Sequence, residues 1–202
     1  MKKIVFSDRY GLTQAVLEGR KTMTRRILKV PIKDFNSVRI ALLSEENKEV
    51  NKMAIIKKYA KYQVGDDVAV AQAYKEIDER GIVGFEDAFD IQPGMVSPIF
   101  AEQSAGWTNK MFVRTDLMPN QIRITNIKLE RLQDISDEDC MKEGVEKWID
   151  CYIVPGIMEN QGKSNVCFDT PHAAFAALIE RISGKGIWEQ NPWVYAYEFV
   201  LL

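Results

Sequence analysis

The chain has 202 residues, a hydrophobic content of 46% and a formal net charge of -2 at pH 7. This length suits one decorated domain, the apolar content is ample for a core, and a charge so close to zero argues against a protein that coats nucleic acid through bulk electrostatics. The charge is unevenly distributed: residues 1–62 hold 15 Lys+Arg and 6 Asp+Glu (+9), and the remainder holds 12 and 23 (-11). A dipolar chain of this kind is able to present a basic face to phosphate while staying soluble.

Cysteine spacing and apolar runs indicate the compartment. Cys140, Cys151 and Cys167 lie 11 and 16 residues apart, with no Cys-x-x-Cys and a single histidine, His172. This pattern predicts free thiols in a reducing compartment and no zinc site. The first apolar run is too short for a signal peptide, and no segment approaches the roughly 20 apolar residues that span a bilayer. We expect a cytoplasmic protein without a membrane contact, metal or cofactor.

The chain begins with a short apolar strand over residues 4–6, and Ser7 is placed to cap a helix over about residues 8–18. Leu12, Ala15 and Val16 form the buried stripe of that helix. Gly19 follows at the position where helices end in the left-handed conformation. The pattern therefore predicts a sharp turn immediately after the first helix.

Residues 19–26 read Gly-Arg-Lys-Thr-Met-Thr-Arg-Arg. The segment from Gly19 to Val30 contains five Lys and Arg residues and no Asp or Glu. An anion or a polar heterocycle is the natural partner of such a stretch; the alternative is a strand with a solvated basic face. On a regular strand the side chains of Lys21 and Thr24 point to opposite faces. If both serve one site, the backbone between them must turn or bulge.

The middle of the chain is less regular. The alternation of Val38, Ile40 and Leu42 predicts a strand, whereas residues 53–62 fit either a returning strand or a lysine-rich helix. Val68 and Val70 mark the next strand, after a turn at residues 64–67. Glycines and prolines interrupt residues 76–106, which we interpret as an insertion or a lid, and residues 107–119 are expected to re-enter the sheet.

The second half contains clearer signals. Isoleucines at 122, 124 and 127 predict a strand with a bulge near residues 125–126, and Ser136 opens a short helix that Gly144 closes. Glu143 lies in the last turn of that helix, where the negative end of the helix dipole favours a protonated carboxyl group. The alternative is that Glu143 is an exposed surface residue without a role.

The last third predicts one helix and one strand. Residues 145–169 form a second variable region, after which Thr170 caps a helix whose apolar stripe ends at Gly184. Residues 193–202 are apolar on both faces except for Glu198. This composition predicts a central strand that closes a barrel.

Residues 19–26 resemble the signature of the ASCH domain, a relative of the PUA RNA-binding fold. Further resemblance lies at residues 64–66, at 131–136 running into Glu143-Gly144, and at 184–186 leading to 191–193, as in the longer, phage-associated branch of that family. The resemblance implies an α+β fold: one PUA-like, mostly antiparallel β-barrel over residues 1–202, with peripheral helices and insertions near 76–106 and 145–169. The Arg-Glu pair common in the family is replaced here by Ala-Gln-Ala-Tyr at residues 71–74.

The resemblance also implies a nucleobase-sized pocket. Its first implication is binding of a nucleic acid or nucleotide, with RNA as the expected partner, while aromatic side chains such as Trp107, Trp188, Trp193 or Tyr74 stack on a base. The residues expected to bind the ligand are Gly19, Arg20, Thr22, Arg25, Arg26 and Lys185.

The glycine stretch is also similar to that of amidohydrolases that remove the acetyl group of acetylcytidine. By that resemblance Lys21 is the proton acceptor, Thr24 the nucleophile and Glu143 the acid. The chemistry requires a neutral lysine, and burial and nearby arginines favour that form. A third alternative is a phage-related interaction module that uses the acidic remainder of the chain as its partner surface.

Overall fold

A computed structural model describes residues 1–79, 104–159 and 164–202. Its centre is a mixed five-stranded sheet. The strands of this sheet are β1 (Lys2–Ile4), β2 (Met23–Ile27), β3 (Asp67–Val70), β4 (Gln121–Arg131) and β9 (Trp193–Leu201), and their order across the sheet is β1-β3-β4-β9-β2. β1 and β3 run parallel and the other neighbours antiparallel. The α+β class is therefore confirmed; within the described residues the sheet is open, with β1 and β2 at its edges, and no closed barrel is seen.

The helices pack around this sheet. They are α1 (Leu12–Leu17), α2 (Phe35–Leu43), α3 (Lys48–Tyr59), α4 (Tyr74–Glu79), α5 (Asp137–Lys142), α6 (Pro171–Ser183) and α7 (Ile187–Gln190). Single 3-10 turns lie at Asp8–Tyr10, Ile32–Asp34, Lys110–Phe112, Thr115–Leu117 and Leu132–Asp134. No helix in the described part of the chain is both long enough and apolar enough to cross a bilayer.

The predicted strand at Val38, Ile40 and Leu42 is wrong, because these residues belong to α2. Val38 and Leu42 are four residues apart, so they share one helix face and are both buried, whereas Ile40 is exposed. A short run of alternating apolar residues fits both the two-residue period of a strand and the 3.6-residue period of a helix, and tertiary packing decides which one forms. The undecided segment that follows is helical as far as Tyr59.

Residues 107–119 do not re-enter the sheet, which corrects a second expectation. They form the two 3-10 turns at Lys110–Phe112 and Thr115–Leu117. The ammonium group of Lys110 anchors the first turn by donating to the Phe6 carbonyl and the Asp8 carboxylate, both at 2.6 Å. Of the predicted insertion at 76–106, residues 80–103 lie outside the described chain.

The second variable region contains two small antiparallel pairs. β5 (Glu146–Trp148) pairs with β6 (Cys151–Ile153), and β7 (Met158–Glu159) pairs with β8 (Ser164–Asn165). An antiparallel bridge between Tyr152 and Phe168 brings Cys151 beside Cys167, and the two form a disulfide. The expectation of free thiols is wrong for these two residues, because their contact depends on a bridge that their spacing does not reveal; Cys140 is free and buried.

Several local predictions are confirmed. The register of β4 against β9 shifts between Ile124 and Asn126, at the predicted bulge. Ser136 and Thr170 cap α5 and α6 by accepting from the backbone amides three residues later. β9 lies between β4 and β2, as its apolar composition indicated.

Gly156 provides a test of how the region after β6 packs against the first 3-10 turn. Its φ is +79°, and a Cβ atom there would collide with the carbonyl oxygen of Arg9. We expect Gly156→Ala to lower the free energy of unfolding by about 1–3 kcal/mol more than the control Gly65→Ala, because overpacking adds to backbone strain. Gly65 has a φ of +89° and open space around its Cα. Equal losses of stability in urea denaturation would contradict this packing.

Candidate functional site

The turn after α1 directs Lys21 into the protein. Gly19 adopts the predicted left-handed conformation, with a φ of +71°. The backbone amides of Arg20 and Lys21 both donate to the Ala15 carbonyl at 2.9 Å, which closes the turn tightly. The Thr22 amide then donates to the Lys142 carbonyl at 3.1 Å, so the end of α5 lies against the start of β2.

A cavity of about 400 Å³ lies between the β2–β9 edge of the sheet and α6. Its polar wall comes from both strands and from the end of α5, and its apolar wall comes from one face of α6. The polar side chains that line it include Lys21, Thr24, Arg25, Arg26, Glu143, Tyr195 and Tyr197. Phe175, Leu178 and Ile179 provide the apolar wall. The volume falls in the range of small-ligand sites, roughly 300–1,000 Å³.

Lys21 and Glu143 form a buried ion pair at one end of this cavity. Only 2% of Lys21 and 4% of Glu143 is exposed. The Lys21 Nζ donates to Oε2 of Glu143 at 2.7 Å and to the backbone carbonyl of Glu143 at 2.6 Å. Desolvation lowers the pKa of Lys21, against the opposing attraction of Glu143. Burial therefore moves this amine toward its neutral form.

Arg25 holds the other oxygen of Glu143. Its Nη1 donates to Oε1 of Glu143 at 3.2 Å, and its Nη2 donates to Glu130 at 2.7 Å and to Asp139 at 3.1 Å. Three carboxylates therefore satisfy a guanidinium group that is almost completely buried. We conclude that Arg25 positions Glu143 and is not a free cation for a ligand.

The ladder between β2 and β9 places four side chains on the cavity face. Thr24 pairs with Tyr197 and Arg26 pairs with Tyr195, and directly opposed residues lie on the same face of an antiparallel sheet. The hydroxyl group of Tyr195 is buried without a hydrogen-bond partner in the described chain, and burial raises the pKa of Tyr197 to about 12. Thr24 makes no side-chain hydrogen bond with a described residue. Thr24 thus presents a hydroxyl group with spare hydrogen-bonding capacity to the cavity, whereas the Tyr195 hydroxyl oxygen is itself buried.

Lys21 and Thr24 reach the same cavity because β2 begins only at Met23. Lys21 precedes the ladder and is not bound by the alternation of a strand. Because Lys21 lies in the turn before β2, its side chain and that of Thr24 line the same cavity even though a regular strand would direct them to opposite faces. Glu143 is buried at the C-terminal end of α5, so the expectation of an exposed surface position for this residue is wrong.

The structure divides the expected ligand-binding residues into two groups. Arg25 and Arg26 line the cavity together with Lys21, Thr24 and Glu143. The others do not line it: Gly19, Arg20, Thr22 and Lys185. The exposed Arg20 forms ion pairs with Glu18 and Glu146, and Lys185 lies exposed in the loop between α6 and α7.

Sequence reasoning missed the tyrosines of the cavity. Tyr195 and Tyr197 lie in a run that is apolar on both faces, and such a run indicates burial without distinguishing a core from a cavity wall. Of the aromatic side chains proposed to stack on a base, none lines this cavity. Trp188 packs edge-on against Phe175, and Trp193 lies in a neighbouring cleft.

Comparison of the chain with models of protein families, with curated proteins and with solved structures finds no match. The geometry of the cavity and the resemblance of residues 19–26 are therefore the features from which a function is inferred. Among the described residues no group of three or more His, Cys, Asp or Glu is arranged to hold a metal ion.

The network around Arg25 makes a prediction for stability. Replacing Arg25 with Met leaves three partly or fully buried carboxylates without their common cation, and we expect a loss of about 3–5 kcal/mol in the free energy of unfolding. The matched control is Arg123→Met, which removes an exposed ion pair with Asp67 and should cost about 0–1 kcal/mol. Similar losses for both variants in denaturant titrations would show that the network does not stabilise the site.

Proposed function

We propose that the cavity binds a pyrimidine nucleoside and that the protein removes an acyl group from the exocyclic amine of that base, as in acetylcytidine. We also propose that the open sheet belongs to a PUA-like domain of the ASCH type. The single observation that carries the proposal is the desolvated Lys21 amine, held 2.7 Å from Glu143 in a cavity that Thr24 also lines.

The polar groups of the cavity suit acyl transfer. A threonine hydroxyl is a weak nucleophile until a base takes its proton, and a lysine acts as that base only in its neutral form. The pKa of Lys21 is lowered by burial, which is the required direction. Thr24 has a hydroxyl group that no described side chain engages, so its oxygen is available to attack an acyl carbon.

The contact between Lys21 and Glu143 supplies one part of the proton path. Thr24 and Lys21 line the same cavity without a hydrogen bond between them, so this scheme requires one water to carry the Thr24 proton to the Lys21 amine as the Thr24 oxygen bonds to the acyl carbon. Lys21 passes a proton to Oε2 of Glu143 at 2.7 Å, and Glu143 passes it to the nitrogen of the base as the carbon–nitrogen bond breaks. Water then hydrolyses the acyl-threonine ester. Arg25 remains bound to Oε1 throughout, so the carboxyl group keeps its orientation during both transfers.

The lining of the cavity suits a base, because the α6 side chains offer apolar surface to a ring and polar side chains of β2 and β9 also line the cavity. Arg26 is the arginine of the cavity that is not bound to a described carboxylate, so its guanidinium group is available to an anionic part of the ligand.

A second candidate keeps the cavity and omits the reaction. The contact between Lys21 and Glu143 opposes the effect of burial and favours the ammonium form. A charged Lys21 would bind a base edge or phosphate and leave Thr24 unactivated. The protein would then recognise a nucleotide or an exposed base of RNA without hydrolysing it.

Acetate release from acetylcytidine tests the first candidate. We expect Lys21→Arg and Thr24→Val each to lower kcat/KM by about 10²–10⁴-fold, because arginine does not deprotonate and valine has no hydroxyl group. The matched controls are Lys57→Arg and Thr125→Val, which change exposed residues of the same types. If acetylcytidine binds but no variant differs from its control in acetate release, the second candidate replaces the first.

The pH dependence of the reaction tests the role of Lys21. The pKa of Lys21 lies below the ordinary lysine value of 10.5. The neutral form of Lys21 therefore becomes populated at a lower pH than that of an exposed lysine. We expect kcat/KM to rise with pH along an alkaline limb whose apparent pKa lies below 10.5. A Glu143→Gln variant removes the attraction that opposes neutralisation, so its limb should move to lower pH even though its rate falls. A limb that does not move would contradict Lys21 as the base.

A further inference from the structure

Three cations at the opening of the cavity lack a carboxylate partner in the described chain. They are Arg26, Lys29 and Lys61, which we call the cationic rim, and all three line the cavity. Arg26 donates one hydrogen bond to the Val5 carbonyl at 2.7 Å, and Lys61 makes a long contact of 3.4 Å with the Lys3 carbonyl. Lys29 and Lys61 are exposed.

The cationic rim differs from the neighbouring cations of residues 20–25 in its lack of carboxylate partners among the described residues. Arg20 is bound to two carboxylates, Arg25 to three, and Lys21 to one. Carboxylates therefore reach the segment that contains Arg20, Lys21 and Arg25 and pair with these three cations. None of the described carboxylates forms a salt bridge with a cation of the rim. Desolvation lowers the pKa of Lys61, and the nearby charges of Arg26 and Lys2 lower it further.

The rim is assembled from separate elements. Arg26 lies in β2, Lys29 follows that strand, and Lys61 follows the end of α3. The phenol of Tyr62 donates to the Lys3 carbonyl at 2.8 Å and fixes the segment that carries Lys61. Like charges brought together by two elements are stabilised by an anion bound between them.

Lys29 also lines a second cleft, of about 630 Å³. The cleft contains Arg39, Arg131, Phe35 and Trp193, and the Arg131 guanidinium lies 4.7 Å from the centre of the Trp193 ring. Neither arginine forms a salt bridge with a described carboxylate. Cations beside exposed aromatic surface suit a phosphate and the base that follows it.

We propose that the ligand carries a phosphate ester, which the cationic rim binds while the base occupies the cavity. The proposal rests on the proposed function for the identity of the base, and it names the substrate class as a nucleotide unit in place of a free nucleoside. The phosphate belongs either to a mononucleotide or to a strand. In a strand, Lys29 marks the position where the neighbouring nucleotide enters the second cleft.

The test compares acetylcytidine, its 3′- and 5′-monophosphates, and a trinucleotide with acetylcytidine at its centre. We expect at least one phosphate-bearing substrate to show a kcat/KM about tenfold or more above that of the nucleoside, with an advantage that shrinks as salt is added. A trinucleotide advantage over both monophosphates assigns the phosphate to a strand, and equal values assign it to a mononucleotide. Equal kcat/KM for the nucleoside and every phosphate-bearing substrate overturns the proposal.

Variants locate the phosphate. The double variant Lys29→Gln/Lys61→Gln should remove the phosphate advantage and leave kcat/KM for the nucleoside within about twofold, because neither lysine reaches the reacting atoms in this scheme. The control, Lys33→Gln/Lys57→Gln, removes the same charge from exposed lysines that do not line either cavity. An equal loss in both double variants would indicate bulk electrostatics and overturn the rim as the site.

Binding measurements separate this proposal from the hydrolytic one. If no substrate releases acetate, titration calorimetry with cytidine and its monophosphates still tests the rim. Tighter binding of a monophosphate that depends on Lys29 and Lys61 supports the phosphate site in a protein that only recognises its ligand. Equal or absent binding of cytidine and both monophosphates in that case overturns the phosphate site together with the hydrolase.

Discussion

The buried contact between Lys21 and Glu143 is the interaction on which the rest of the site depends. Taking an ammonium and a carboxylate out of water costs several kcal/mol per ion, and a single contact rarely repays it. The fold therefore holds both partners from several sides. Thr22 bonds to the end of α5, and Arg25 binds the free oxygen of Glu143. Such a pair adds little net stability compared with apolar packing, so its presence beside a cavity favours a role in binding or chemistry.

The cations in the first third of the chain that line the cavity fall into two groups, one paired with carboxylates and one without a carboxylate partner among the described residues. Those nearest the end of α5 are matched by acids from the second half of the chain, which is how the positive and negative halves of the sequence meet. Those at the opening of the cavity are not matched by a described acid. The interior is thus electrostatically satisfied before a ligand arrives, while its entrance keeps a net positive field. This arrangement attracts an anionic group to the entrance and reserves the inner groups for the neutral part of the ligand.

Local chemistry predicted the parts of the site that depend on a few neighbouring residues. The left-handed Gly19, the Ser136 cap and the bulge before Asn126 follow from backbone requirements that only short-range sequence imposes. The parts that depend on tertiary contacts were not predictable. The α2 segment alternates like a strand but is helical because its buried residues repeat at a spacing of four. The Cys151–Cys167 disulfide and the cavity position of Tyr195 arise from pairings between distant segments, which no local pattern encodes.

The position of Glu143 at the end of α5 explains how one cavity accommodates Lys21 in either protonation state. A carboxylate at the C-terminal end of a helix lies beside unsatisfied carbonyl groups, which is unfavourable unless a cation compensates both. Lys21 does so by donating to the side chain and to the backbone carbonyl of the same residue. When Lys21 is neutral, Arg25 still binds the opposite carboxylate oxygen and the amine still has protons to donate. Loss of the lysine charge therefore does not leave the carboxylate uncompensated, and the pair can exchange a proton without rearranging the fold.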